Sequence, residues 1–568
     1  MNTSKLLSFL GSFLILLTIY GCKNETPNPN PALASIDFQR GDLLLCGDGQ
    51  FGELKFSLSC DYETRETFDL AVALLHSFQY TEAEKVFVKV IDADPNCPMA
   101  YWGVAMSIYH AAWFPPSKKE LIKGSKILNV AKELSMDNKQ RDYINAIDAF
   151  YTDWETVNHK TRAKRFEKKM EQIYLAYPED IEAAIFYSLA LFSTRDRVGK
   201  DYLNEKKAGE ILESLFDSNP NHPGIAHYII HNYDNPVLAQ KGLKTARRYA
   251  SIAPSSAHAQ HMPSHIFTRL GIWQESIDAN LLSTESARCY VEASALNGSY
   301  FEELHGIDYL VYAYLQKGDN ANAEYQYNLI KERNTFYPAN ITAAIYPITA
   351  VPARLALENK NWKQATNLEL QEISINWEQF PWQAAIHHFA IAMGAANTNN
   401  FNVVEEKIEI LKKLHQNLIE QNDETKSIQI KQVEIQFKTS QAWLNFRKND
   451  LESGLELMKE AVEIERKTSK HPVTPGDVLP AIELLGDMLL ELDKPKEALM
   501  AYEENLIGHP GRFNGIYGAA IAAKRSDNLD KATFYFNQLI ELTKDTNSER
   551  QEVLEAKAFI ETKSQTAK

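Results

Sequence analysis

The sequence predicts an all-α protein, built as a right-handed superhelical solenoid of helix-turn-helix repeats. Three observations lead there. From about residue 64 the chain alternates amphipathic helical segments with short breaks and shows no convincing run of strands. Small residues, aromatics and prolines recur in one frame, and Pro220 and Pro254 stand 34 residues apart. At 568 residues the chain is too long for one compact core, whereas stacked repeats need only neighbour contacts.

The first element is an export signal. Residues 1–21 join a short region with one lysine to an apolar stretch, Leu6 to Tyr20, of signal-peptide length and too short to span a bilayer comfortably. Ile19-Tyr20-Gly21-Cys22 then resembles the bacterial lipobox, which implies lipidation at Cys22. Residues 22–40 follow as a polar, proline-rich tether of the kind that lifts a domain off a membrane. The expected location is the cell envelope, lipid-anchored, at the outer membrane. Export also places the cysteines in an oxidising compartment. Cys46 and Cys60 bracket a glycine-containing segment within 41–63 that reads as a small hairpin-like cap, and a Cys46–Cys60 disulfide is expected. Cys97 and Cys289 read as small buried residues in separate repeats.

The repeats come next. FDLAVALLHSFQYTEAEKVFVKVIDADP places Ala71, Ala83, Phe87 and Pro95 where a tetratricopeptide (TPR) unit has its small residues, its aromatic and its closing proline. The frame returns with Ala208, Leu212 and Pro220, then with Gly242, Ala246 and Pro254. Near the carboxyl end it returns with Gly486, Ala498, Tyr502 and Pro510, and with Ala520, Ala532 and Phe536. Small residues let the paired helices approach, and the aromatic fills the gap between neighbouring repeats. The expected layout is a first array over 64–345, a second over 346–560 and a disordered tail over 561–568. An insertion at 113–160 is expected to lengthen helices of the looser units.

Seven of the 15 histidines fall between 222 and 305. In the repeat frame His227 and His231 are positions 5 and 9 of one unit, and His261 and His265 are positions 5 and 9 of the next. His258, at position 2, and Asp234, at position 12, continue the same stripe, since steps of three and four return to one helix face. His305 and Asp308 extend it into a third unit. By resemblance to the TPR family this stripe lines the concave groove. Three chemistries suit it. Histidines at i,i+4 on adjacent helices have metal-ligand spacing, so His227, His231, His261 and His265 suit Zn²⁺ or Fe²⁺. The same groups suit an acid–base pocket, although no G-x-S-x-G nucleophile accompanies them. They also suit a hydrogen-bonded network or a groove that recognises a peptide or protein.

The remaining features say less. Arg354 falls on the groove stripe of a later unit and is expected to meet an acidic ligand terminus. His387 and His388 read as core and surface. The charged run 417–432 reads as a solvated helix junction. A net charge of −15 argues against nucleic acid and against electrostatic binding to anionic lipid. No P-loop or Rossmann glycine motif is present in the sequence.

HPGIAHYIIHNYDNP and HAQHMPSHIFTRLGIWQESI resemble a group of exported bacterial TPR lipoproteins marked by HPGxxHYxIHxxD and HxxHMPSHIF. HPVTPGDVLPAIELLGDMLLELDKPKEALMAYEENL is similar to the carboxyl end of that group. The resemblance covers most of 60–540 and implies fold and location without implying a reaction. Function is thus expected to be that of a membrane-anchored TPR scaffold binding a peptide, protein or small ligand in a histidine- and aspartate-lined groove. The alternative is a metal-binding protein or metal-dependent enzyme.

Overall fold

Helix follows helix in antiparallel hairpins from Arg65 to Thr566. The computed structural model describes residues 31–566 apart from 58–59, 61–62, 112–114, 339–340 and 374. The signal segment, Cys22 and the start of the tether lie outside the described residues. Among the described residues no helix is long and apolar enough to cross a membrane.

The repeat frame explains the packing. Ala83, Phe87, Ala208, Leu212, Ala498, Tyr502, Ala532 and Phe536 are all fully buried. Glycine is needed where helices touch: a Cβ on Gly103 would sit 2.2 Å from the ring of Phe87, and one on Gly486 would sit 2.7 Å from that of Tyr502. Left-handed residues end several first helices of the hairpins, among them Gly271 at φ 68°, Gly318 at φ 66° and Asn449 at φ 68°. Ser117 and Asp137 form capping boxes with Glu120 and Gln140. These caps make 118–151 a hairpin of its own, Lys118–Glu133 with Asn138–Tyr151, so the insertion adds helices rather than lengthening existing ones. A two-residue parallel bridge, Ser299–Tyr300 with Phe336–Tyr337, interrupts the all-α pattern.

Five further expectations are corrected. The boundary at 345/346 falls inside the helix Thr342–Glu358, and the final helix Gln551–Thr566 takes in most of the supposed tail. Residues 31–40 do not stand free: Ile36 is buried, and the Gln39 N–H donates to Glu84 at 2.7 Å. The segment after them is not a hairpin. It runs extended across the first repeats, where the Glu53 N–H donates to the Asn221 carbonyl at 3.0 Å and Phe51 and Phe56 plug the core. An extended path holds Cys46 and Cys60 apart, so the expected Cys46–Cys60 bridge does not form. Cys46 instead bonds to Cys289, with Cα atoms 6.0 Å apart, and Cys60 to Cys97, with Cα atoms 5.4 Å apart. Both bridges staple the cap segment to repeats.

The superhelix winds tightly enough for its carboxyl-terminal repeats to touch its amino-terminal half. The turn 468–480, between Leu451–Lys467 and Ala481–Glu491, reaches back into the amino-terminal half. Its Ser469 N–H donates to the Val198 carbonyl at 3.0 Å. Arg354 anchors it from below: its guanidinium donates to the Gly476 carbonyl at 2.8 Å, to the Asp477 carbonyl at 3.1 Å and to Asp308 at 3.0 Å. Arg512 makes a second buried tie, to Glu483 at 2.6 Å and Glu358 at 2.8 Å. Trp273 donates its indole N–H to the Gly511 carbonyl at 2.8 Å.

Non-reducing peptide mapping should recover Cys46 with Cys289 and Cys60 with Cys97, and a Cys46–Cys60 peptide would contradict this fold. Asp308→Ala leaves a fully buried guanidinium without its carboxylate and should cost about 3–5 kcal/mol in denaturant unfolding. A loss below about 1 kcal/mol would mean that water reaches the pair.

Candidate metal centre

Four helical segments deliver the histidines. In Pro223–Tyr233 the proline sits in the first turn, where no N–H is required, and the His222 ring caps the Ile225 N–H at 3.4 Å. This helix carries His227 and His231 on one face. The second expected helix is broken: Ala257–His261, capped by Ser256, stops before Pro263–Leu270, because Pro263 cannot donate to the turn before it. The break places His258 and His261 on one segment and His265 on the next. His305 comes from Phe301–Gln316.

The expected groove floor is interior. His227, His258, His261 and His265 are at most 4% exposed, while His231 and His305 are half-buried. The turn 468–480 and its Arg354 anchor lie over the stripe and cover much of it. The six rings form two triads. Ligand atoms of His227, His231 and His258 lie within 4.8 Å of one another, and so do those of His261, His265 and His305. The triads abut, with the His231 and His265 rings 6.4 Å apart and the His258 and His261 rings 6.5 Å apart.

Hydrogen bonds fix several tautomers. The Asn280 amide N–H₂ donates to the Ser276 carbonyl at 2.7 Å, so its oxygen faces His261, whose Nδ1–H donates to it at 2.6 Å. The His265 Nδ1–H donates to the Asp234 carboxylate at 2.8 Å. Both rings therefore present Nε2 as a lone pair, and these two nitrogens face each other at 2.9 Å. In the other triad the His227 Nδ1–H donates to the His76 carbonyl at 2.6 Å, which bares its Nε2 at 3.0 Å from His258 Nε2. Among the described residues no partner reaches His231 Nε2 or His305 Nδ1.

Two lone pairs at that distance repel unless a cation lies between them. A proton would make one ring an imidazolium, and burial opposes that charge. Burial holds His227 down at about 3 and pushes His231, His258, His261 and His305 well below the ordinary imidazole value. An ion bonded at about 2.0–2.1 Å to Nε2 of His261 and of His265 would see them about 90° apart.

Asp234 supports the site from behind. Burial acts to raise its pKa, but Lys470 at 2.8 Å and His265 hold its carboxylate well below the usual range. A carboxylate that orients a ligating imidazole is the usual outer partner of a metal-bound histidine. The Tyr309 hydroxyl lies 3.2 Å from His265 Nδ1 and 3.2 Å from the Thr474 carbonyl, which it joins as donor. Asp308 pairs with Arg354 at 3.0 Å rather than with the imidazoles. His387 and His388 touch each other, away from the cluster.

Residues that the stripe did not reveal complete the surroundings. His76, in the first repeat, shares Glu182 with His222: its Nε2 lies 2.9 Å from one oxygen and His222 Nε2 lies 2.9 Å from the other. Both rings act as donors there, which accounts for this third buried group without an ion. Lys470 and Thr474 lie in the HPVTPGDVLP region, whose motif marked a resemblance but carried no spacing that tied it to the histidines.

No protein-family model matches the chain, and no curated protein does. Among solved structures, the human IFIT1 dimer with m7Gppp-AAAA is similar at 15% identity over 87% of this chain and 92% of that one, with a TM-score of 0.36. Yeast Tom70 is similar at 13% identity over 88% and 96%, with a TM-score of 0.32. Likeness at this level carries no argument about function or partners. The repeat frame, the hairpin pairing and the buried small-residue contacts make the chain a helical solenoid of tetratricopeptide type.

Proposed function

We propose that this chain is a transition-metal-binding repeat protein of the cell envelope, holding ions in its two adjacent three-histidine sites. One observation carries the reading: Nε2 of His261 and Nε2 of His265 face each other at 2.9 Å while each ring commits its only proton to an acceptor on the far side. Neutral imidazoles suit Zn²⁺, Fe²⁺ or copper. Three protein ligands leave a coordination position open, which is the arrangement of reactive sites rather than closed structural ones. Such an ion would act as a Lewis acid or redox centre at the wall of a cleft. A protein or peptide partner, which repeat surfaces suit, must use a face other than the covered histidine stripe.

The envelope location rests on the lipobox at Cys22. The two disulfides, which persist in oxidising compartments, support it.

Elemental analysis of the mature chain, purified without a His tag, should find about one or two Zn, Fe or Cu ions per molecule. At least half should be lost in a His261→Ala/His265→Ala variant. Metal-free protein whose unfolding midpoint ignores chelator and added metal would overturn the reading. Cys22→Ala should move the protein from the membrane to the soluble fraction of cells, and retention on membranes would remove the lipid anchor from the proposal.

A further inference from the structure

A cleft of ≈ 230 Å³ lies against the first triad, with His231 and Asp234 in its wall and Arg195 and Arg197 beside them. Both arginines follow the helix Ile181–Thr194, on an irregular segment pinned by Ser469, whose hydroxyl donates to the Gly199 carbonyl at 2.9 Å. The Arg195 guanidinium lies 3.6 Å from the centre of the Phe192 ring and donates to the Phe192 carbonyl at 2.5 Å. Its nearest carboxylate, Glu205, is 3.8 Å away, too far for a hydrogen bond. Arg197 makes no hydrogen bond or ion pair among the described residues.

The other carboxylates of the cleft are engaged elsewhere, Asp196 among them, which accepts the Val198 N–H at 3.0 Å. Asp234 serves His265 and Lys470, and Glu465 accepts the N–H groups of Ala481 and Ile482 at 3.0 and 2.8 Å. Asp477 accepts from Gln432 at 3.1 Å. The two guanidinium groups are thus partly withdrawn from water with only loose pairing, Arg195 to Glu205 at 3.8 Å, an arrangement that an anion in the cleft would stabilise. Burial, with Arg197 adding to it, brings Arg195 down to about 9.

Resting on the metal reading above, we infer that this cleft binds a small molecule by its oxyanion group, a carboxylate or a phosphate, held between Arg195 and Arg197 with the rest of the molecule directed at His231 and the metal. The planar fork of arginine matches either group through two parallel N–H donors. An arginine-held anion beside an ion with an open position is how a substrate's reacting end is brought to a Lewis acid.

Calorimetric titration of inorganic phosphate and of succinate into the full mature chain tests this, with metal content measured on the same samples. Wild-type protein should bind at least one of the two probes, and which one binds assigns the head group. Arg197→Gln should weaken that binding at least tenfold with metal content unchanged. Arg197→Lys, which keeps the charge and the fold but not the fork, should weaken it several-fold. Equal affinity in wild type and both variants, or no binding of either probe by the wild type, overturns the inference and leaves the metal reading intact. Metal-free wild-type protein that still binds phosphate through Arg197 overturns the metal reading and keeps the anion site.

Discussion

The structure depends on one act of closure. The turn 468–480 comes from the carboxyl-terminal repeats and is laid over the histidine stripe by a fully buried arginine. Arg354 spends its donors on the Gly476 and Asp477 carbonyls and on Asp308, so it satisfies the turn's backbone while its own charge is matched. With the turn in place, most of the six imidazoles lose contact with water. Loss of water keeps them neutral, and neutral rings with committed Nδ1 protons present bare nitrogens to one another. The facing of the nitrogens is thus a consequence of burial, and burial is a consequence of closure.

This arrangement inverts the ordinary use of a helical-repeat superhelix. Such a solenoid offers its concave face to a partner because the first helix of each unit lines an open groove. Here the winding is tight, and the chain fills part of its own groove with Lys470, Thr474 and the carbonyls of the turn. The carboxylates of the stripe are engaged within the chain: Asp234 by His265 and Lys470, and Asp308 by Arg354. Two features stand out beside them: the facing imidazole nitrogens, and the arginine pair at 195 and 197, which shares its cleft with His231.

The local electrostatics differ from the overall charge. The chain carries −15, whereas the wall of the cleft is balanced: Arg195, Arg197, Lys200, Arg269 and Lys470 stand with Asp196, Glu205, Asp234, Glu465 and Asp477. A net charge distributed over a large exposed surface is screened within roughly 10 Å, so the arginine pair in the cleft answers mainly to its own surroundings. The net charge argues against a polyanion such as nucleic acid on the outer surface. It says nothing against a small anion inside.

Much of this was legible from the residues alone. The frame of Ala83 and Phe87, of Gly486 and Tyr502, and of Ala532 and Phe536 specifies repeats because helix packing admits only small residues where backbones approach. That rule acts locally, within one hairpin. The grouping of His227, His231, His258, His261 and His265 was likewise readable, since periodicity places them on one stripe. Contacts between distant repeats were not readable, because no local rule links residue 234 to 470 or 354 to 476. Cys46 and Cys60 show the same limit: their closeness in sequence suggested a pair, whereas an extended path sent each to a different repeat. Sequence periodicity determined the helices, their partners and the histidine stripe. Only the tertiary winding decided that the stripe is largely buried, that its nitrogens face one another, and that two arginines stand in the cleft at its edge.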